Sequence, residues 1–281
     1  MTAKPVDSVQ SLFFSPTGST RRIVEAIARG TGVPSLAPIS VTTPYDRDSF
    51  SGQIDGDLLI VGVPVYTGRI PSFVLSPLSQ VDGTGRWALP VAVCGNVRMG
   101  TCLAELCAIL KRQGFTIPAA GNFIAQHSFA SEDFPIAEGR PDEDDLRQAV
   151  EFGRRVADKI AQDPEDITSV YRGYLNIRMY VSGSTEATGF VSMGAHHRAT
   201  IRVSEHNAKL CDDCGACVGV CPTGAIDPES YLIEEETCIR CFACTSVCAP
   251  GAKTKIVQPV EELALWFTHR STERGEPLLF F

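Results

Sequence analysis

No run of the chain stays apolar over the roughly 18 residues that a membrane-crossing helix requires. The opening residues, MTAKPVDSVQ, lack the apolar core and small-residue cleavage site of a secretory signal. Basic residues are outnumbered: 25 Lys and Arg stand against 33 Asp and Glu, a formal charge of −8. That excludes the basic footprint of a nucleic-acid binder. It fits a solvated acidic surface, and secondarily a basic protein partner. With no mark of secretion, the eleven cysteines are not expected to form a disulfide framework, and a reducing cytoplasm is the expected location. Two phosphate signatures are also missing. There is no Gly-Lys-Ser/Thr of a P-loop, and the single G-x-G-x-x-A, GTGRWA at 83–88, precedes a strand instead of following one.

The 281 residues, 44% of them apolar, suit one large domain and a smaller one. From 9 to 162, short apolar runs alternate with amphipathic segments. VQSLFF (9–14) reads as a strand, and TRRIVEAIARG (20–30) as a helix with Ile23, Val24 and Ile27 on one face. A second strand is expected near 38–42. DLLIVGVPV (57–65) is the nearly continuous apolar run of a parallel strand buried on both faces. WALPVAVCG (87–95) is another, its regular ladder expected to begin after Pro90. A helix at 101–112, a strand near 117–125 and a charged helix at 142–162 complete a β-α-β alternation, which places helices on both faces of a parallel sheet. Asp142, Glu143, Asp144 and Asp145 suit the last helix's N-terminus as capping and solvated groups.

Four segments are therefore expected: a large α/β domain at 1–164, a connecting segment at 165–205, a cysteine domain at 206–256, and a tail at 257–281 that docks on the large domain. In the connecting segment, Tyr171, Tyr174 and Tyr180 read as packing groups and His196-His197 as solvated. The tail's PVEELALWFTHR reads as a short helix, and its apolar LLFF needs cover.

The cysteine domain holds the most specific signal. Cys211, Cys214, Cys217 and Cys221 form C-x2-C-x2-C-x3-C, and Cys238, Cys241, Cys244 and Cys248 repeat it without a change of spacing. A zinc ribbon separates two C-x2-C pairs by a longer gap to close one tetrahedron. Three cysteines spaced by two instead wrap one cluster, and the fourth reaches the other; this is the run of bacterial two-cluster ferredoxins. Cys211, Cys214, Cys217 and Cys248 are thus expected on one 4Fe–4S cluster, and Cys238, Cys241, Cys244 and Cys221 on a second. Proline follows Cys221 directly but is displaced by one position after Cys248. Small residues around both runs let backbone N–H groups approach the sulfurs. Cys94, Cys102 and Cys107 read as core thiols.

SPTGST (15–20) joins the first strand to the first helix. Hydroxyls at Ser15, Thr17, Ser19 and Thr20, with Gly18 permitting a tight turn, suit a phosphate at a helix N-terminus. A plain N-cap needs only one hydroxyl.

This loop resembles the T/S-x-T-G-x-T phosphate loop of flavodoxins, and the resemblance spans 8–162. Residues 206–256 resemble two-cluster ferredoxins. The whole chain, down to its closing RGEPLLFF, is similar to the fused flavodoxin–ferredoxin proteins of anaerobic microbes. The resemblance implies FMN at the ends of a five-stranded sheet ordered 2-1-3-4-5, followed by a small α+β two-cluster domain. It implies FMN contacts from Ser15, Thr17, Gly18, Ser19 and Thr20. Further contacts are implied from Pro64, Val65, Tyr66, Thr67 and Gly68, with Tyr66 as the aromatic beside the ring. Cys94, Gly95 and Asn96 follow the fourth strand, where relatives carry an aromatic and this chain carries Cys94. His127, ending the fifth strand, either approaches the flavin or caps the strand.

An FMN and two 4Fe–4S clusters link two-electron to one-electron chemistry without a catalytic acid or base. The leading expectation is an electron-transfer flavoprotein that relays low-potential electrons between soluble redox proteins, with neither nucleic acid nor membrane as partner. A flavin enzyme reducing a small molecule such as a quinone is the second reading. An oxygen or redox sensor, with clusters remote from the flavin, is the third.

Overall fold

The computed structural model describes residues 6–96, 100–162, 166–167, 200–259 and 261–281. Tyr171, Tyr174, Tyr180, His196 and His197 lie outside the described residues.

Strand β1 (Val9–Phe13) is buried along its whole length and leads into α1 (Ser19–Gly30), whose Ile23, Val24 and Ile27 face inward. The two-residue β2 (Ile39–Ser40) and α2 (Pro44–Ser49) follow, and α2 starts with a capping box between Thr43 and Asp46. Then come β3 (Leu58–Pro64), a 3-10 turn at Ser72–Val74, α3 (Leu75–Gln80), β4 (Trp87–Cys94), α4 (Cys102–Arg112), β5 (Ala120–Ile124) and α5 (Glu143–Gln162). The first five strands pair in parallel in the order β2-β1-β3-β4-β5, the flavodoxin-like order.

A sixth strand joins this sheet from the far end of the chain. β8 (Leu278–Phe280) pairs antiparallel with β5, with Gly121 opposite Leu279. Pro90 requires a correction: β4 is regular through it, with Val61 opposite Pro90 on β3. The Trp87 N–H points to β3 and the Ala88 N–H to the other side, toward Thr116. By that alternation the missing N–H of Pro90 falls on the β5 side, and the β4–β5 ladder begins only at Val91. No ladder bond is lost.

Helices α1 and α5 cover one face of the sheet, where Ile23, Val24 and Ile27 meet Ala149, Phe152 and Val156. They approach closely because neither carries a side chain at the crossing. A Cβ added at Gly153 would strike the Ile27 carbonyl, and one at Gly30 would strike the Val150 carbonyl. Helices α3 and α4 cover the other face through Leu78, Leu103, Leu106 and Leu110. At the start of α5, Asp142 and Asp145 cap each other reciprocally. Asp145 is not a solvated group: it is buried and holds Arg140, whose Nε donates to it at 2.8 Å.

The cysteine domain opens with β6 (Ile201–Val203), pairs it antiparallel with β7 (Lys255–Val257), and places the short α6 (Ala216–Gly219) and α7 (Ala243–Val247) between them. Helix α8 (Glu261–Ser271) then leads to β8. This small unit is fastened to the sheet domain at several points. Ile239, Cys241 and Ala243 pack into the same apolar core as α3 and α4. Arg47 donates to the Pro222 carbonyl at 2.8 Å, and Lys255 to the Ala130 carbonyl at 2.8 Å.

Candidate functional site

The carboxyl ends of β1, β3, β4 and β5 open into a cavity of about 400 Å³, within the range of small-molecule sites. Each strand end contributes one loop. After β1 come Ser15, Thr17, Ser19 and Thr20; after β3, Pro64 to Gly68; after β4, Cys94 and Gly95; after β5, His127 and Phe129. Gly18 and Asn96, predicted beside these, contribute nothing to the lining. Gly18 instead caps α1 in the left-handed conformation, at φ 84°. With no side chain it offers the helix no capping acceptor, so the dipole's positive end faces the hydroxyl-lined loop. The Ser15 hydroxyl accepts the Arg21 N–H at 3.1 Å, which fixes the loop against the first turn. The Asn96 amide donates to the Glu273 carbonyl at 2.7 Å and so anchors the tail.

The β3 loop folds back as a hairpin turn, with Tyr66 and Arg69 bonded to each other at 3.0 and 2.9 Å. Thr67 (φ 50°) and Gly68 (φ 77°) occupy its two left-handed positions, the pattern of a type I′ turn. A β-branched residue there is strained, and the surrounding contacts hold it. The Gly68 carbonyl accepts the Thr101 N–H at 2.8 Å, and Arg69 is ion-paired with Glu105. Tyr66 packs edge-on to Phe14 at 6.5 Å between ring centres. Burial raises its hydroxyl pKa well above the ordinary value, with the Cys241 charge as a second cause.

His127 stands on the opposite wall. Its Nδ1 accepts the Phe129 N–H at 3.0 Å, which leaves the proton of the neutral ring on Nε2. Desolvation first, then the Lys255 charge, lowers its pKa to about 4. The ring packs with Phe129 at 5.2 Å and Phe267 at 5.9 Å.

Nine lining residues were not singled out in the sequence. Pro16, Val93, Ala125, Gln126, Ser128 and Phe129 adjoin predicted ones, whereas Arg240, Trp266 and Phe267 lie far along the chain. Arg240 belongs to the second cysteine run, and the two aromatics to α8. No local signal marks them, because they reach the cavity only through docking of the small domain. Aromatic packing continues from the cavity wall into the cysteine domain, with Phe129 edge-on to Phe242 at 5.9 Å. Phe242 lies between Cys241 and Ala243.

Cys211, Cys214 and Cys217 of the first run line one small cavity with Cys248 of the second. Cys221 of the first run and Cys244 of the second are buried in one cluster, against which Cys217 and Cys238 pack. Burial raises the Cys238, Cys241 and Cys244 thiols, Cys244 to about 12. The settings differ: Cys221, Cys241 and Cys244 are buried, whereas Cys214 is exposed. Backbone donors approach the sulfurs where small residues allow it, with the Ala225 N–H 3.2 Å from the Cys221 Sγ.

Both runs bend the chain in the same way. Asp213 and Gly215 flank Cys214, Arg240 and Phe242 flank Cys241, and all four have φ between 54° and 69°. Among the described residues, no three His, Cys, Asp or Glu side chains are grouped to hold a metal ion. The donors present, four thiols to a set with N–H groups beside them, fit clusters.

Residues 204–254 match the family model of the 4Fe–4S dicluster domain. No curated protein matches the chain. Among solved structures, an archaeal flavodoxin overlays 55% of this chain and 99% of its own, at 17% identity and a TM-score of 0.40. A WrbA-like flavodoxin protein from Agrobacterium tumefaciens overlays 57% and 99%, at 17% identity and 0.38. Rubredoxin oxygen:oxidoreductase from the anaerobe Desulfovibrio gigas overlays 61% of this chain and 38% of its own, at 18% identity and 0.40. The fold rests on strand order and register, to which overlays at these scores add nothing. Among the described residues, no helix is long and apolar enough to cross a membrane. A flavodoxin-like parallel sheet is thus joined in one chain to a 4Fe–4S dicluster domain, an architecture for redox chemistry.

Proposed function

We propose that the protein is an electron-transfer flavoprotein, holding FMN in the cavity at the strand ends and two 4Fe–4S clusters on the two cysteine sets. It relays low-potential electrons between soluble redox proteins. One observation carries this reading: the second cysteine run forms part of the cavity wall. Arg240 lines the cavity, its neighbour Cys241 shares an apolar cluster with Tyr66, and Phe242 meets Phe129.

FMN supplies the exchange of one or two electrons, and each cluster supplies one. The chain's own work is placement and exclusion of water. Ser15, Thr17, Ser19 and Thr20 would hold the phosphate at the α1 N-terminus, while Tyr66, His127, Trp266 and Phe267 surround the ring with apolar surface. The buried set of Cys221, Cys238, Cys241 and Cys244 faces the flavin. The set containing exposed Cys214 faces the partner.

The sensor reading expects cysteine sets remote from the cavity, and the cavity-lining position of Arg240 opposes it. Direct reduction of a small molecule such as a quinone has one feature in its favour, a largely apolar cavity bordered by Tyr66 and His127. Anaerobic stopped flow separates the readings. The protein is mixed with a reduced low-potential ferredoxin, and cluster and flavin bleaching are followed separately. The relay requires cluster bleaching followed by coupled flavin reduction. A flavin that stays oxidised beside reduced clusters would refute it. Steady turnover with a quinone, and none with a second electron-carrier protein, would instead select the enzyme.

A further inference from the structure

Two cations are buried deep in the cysteine domain, Arg240 and Lys253, with 3% and 2% of their surface exposed. Arg240 is neutralised: it is ion-paired with Glu235 at 2.9 Å and also donates to the Ile201 and Cys238 carbonyls. Lys253 is not. Its Nζ donates to the Tyr231 carbonyl at 2.6 Å, and among the described residues no carboxylate pairs with it. An ammonium taken out of water without an opposite charge is strongly unfavourable. A neutral carbonyl meets only one of its three donors.

Lys253 lines the small cavity together with Cys211, Cys214, Cys217 and Cys248. The carboxylate in that lining, Asp212, is exposed and accepts the Cys214 N–H at 3.3 Å. The ammonium therefore stands beside these four sulfurs, where anionic charge is the counterpart that would justify its burial.

We propose that Lys253 is the internal counter-cation of the set Cys211, Cys214, Cys217 and Cys248, raising the potential of the cluster held there. This rests on the cluster reading above. Each reduction adds one negative charge to a cluster, and a fixed nearby cation favours the more negative form, raising the potential. Lys253 is a positioning residue for charge and requires no proton transfer.

The test uses the full chain, purified and loaded without oxygen, as wild type and as Lys253→Met, Lys253→Gln and Lys253→Arg. Iron content is measured, and each cluster is titrated potentiometrically with electron paramagnetic resonance as the readout. The expected result is that Lys253→Met and Lys253→Gln move the midpoint potential of the cluster on Cys211, Cys214, Cys217 and Cys248 to a more negative value, more than that of the other cluster, while Lys253→Arg stays near the wild type. If neither neutral variant assembles clusters but Lys253→Arg does, the charge is required to hold the thiolates, which also supports the proposal. Fully loaded neutral variants with unmoved potentials would overturn it. So would a shift confined to the other cluster, or failure of Lys253→Arg to assemble, which would mark a packing role. A wild-type chain that takes up no iron would sink the cluster reading itself, a distinct outcome.

Discussion

The Arg47 guanidinium donates to the carbonyl of Pro222 at 2.8 Å, across 175 positions of sequence. Pro222 follows Cys221, so a side chain of the sheet domain steadies the backbone beside a cysteine of the buried set. The same guanidinium bonds the Thr42 carbonyl at 2.6 Å and lies over Phe73 at 5.5 Å. Arg47→Leu is expected to weaken docking by about 1–2 kcal/mol without removing a proposed ligand. Hydrogen exchange should accelerate at both 41–47 and 222–226, with iron content unchanged.

The cross-assignment of cysteines makes a sharp prediction. Cys221→Ser should damage the cluster held mainly by the second run, although Cys221 belongs to the first. Iron should fall from about eight to about four per chain. The surviving spectrum should match that of Cys241→Ser, not that of Cys214→Ser. A match to Cys214→Ser would mean that each run closes on itself.

At the phosphate loop, Thr17→Val with Ser19→Ala removes two hydroxyl donors and leaves the Ser15 contact to Arg21 in place. Hydrogen bonds to a charged group contribute about 1.5–3 kcal/mol each. FMN affinity should therefore fall at least about tenfold for each lost bond. Riboflavin, which has no phosphate, should bind both proteins alike. Equal losses for the two flavins, read by fluorescence titration, would place the phosphate elsewhere.

His127 makes stability depend on pH. Desolvation lowers its folded pKa from 6.5 to about 4. Between those values the unfolded chain takes up a proton that the folded chain refuses, so stability falls as pH drops through that window and is flat above it. At pH 5 the loss is about 2 kcal/mol relative to pH 7.5. His127→Phe should lack this component. Urea unfolding of both proteins at the two pH values isolates it, and parallel pH profiles would show a histidine that titrates normally.

The parallel sheet was legible because its strands are buried on both faces, which writes them as unbroken apolar runs such as LLIVGV. The phosphate loop was legible because its residues are contiguous. Pro90 misled, since a local rule against proline in a ladder cannot know which side of the strand lacks a neighbour at that point. Arg240, Trp266 and Phe267 carried no local mark at all. The charge of Arg240 is used within its own domain, and the α8 aromatics read as an ordinary apolar face until docking turns them to the cavity. Burial of Lys253 was equally invisible, for a lysine in a polar-looking GAKTK is expected at the surface.

The pairing of β8 with β5 has a consequence for biosynthesis. A ribosome delivers the chain from its N-terminus, so the first five strands emerge well before their edge neighbour. Both cysteine runs lie between β5 and β8 in the chain. Until they and α8 have been made, the β5 edge lacks the partner that β8 supplies, and an unpaired edge invites pairing with another chain. Completion of the sheet is thus tied in time to production of the iron-binding segment, and nascent chains arrested before residue 278 would be the aggregation-prone species.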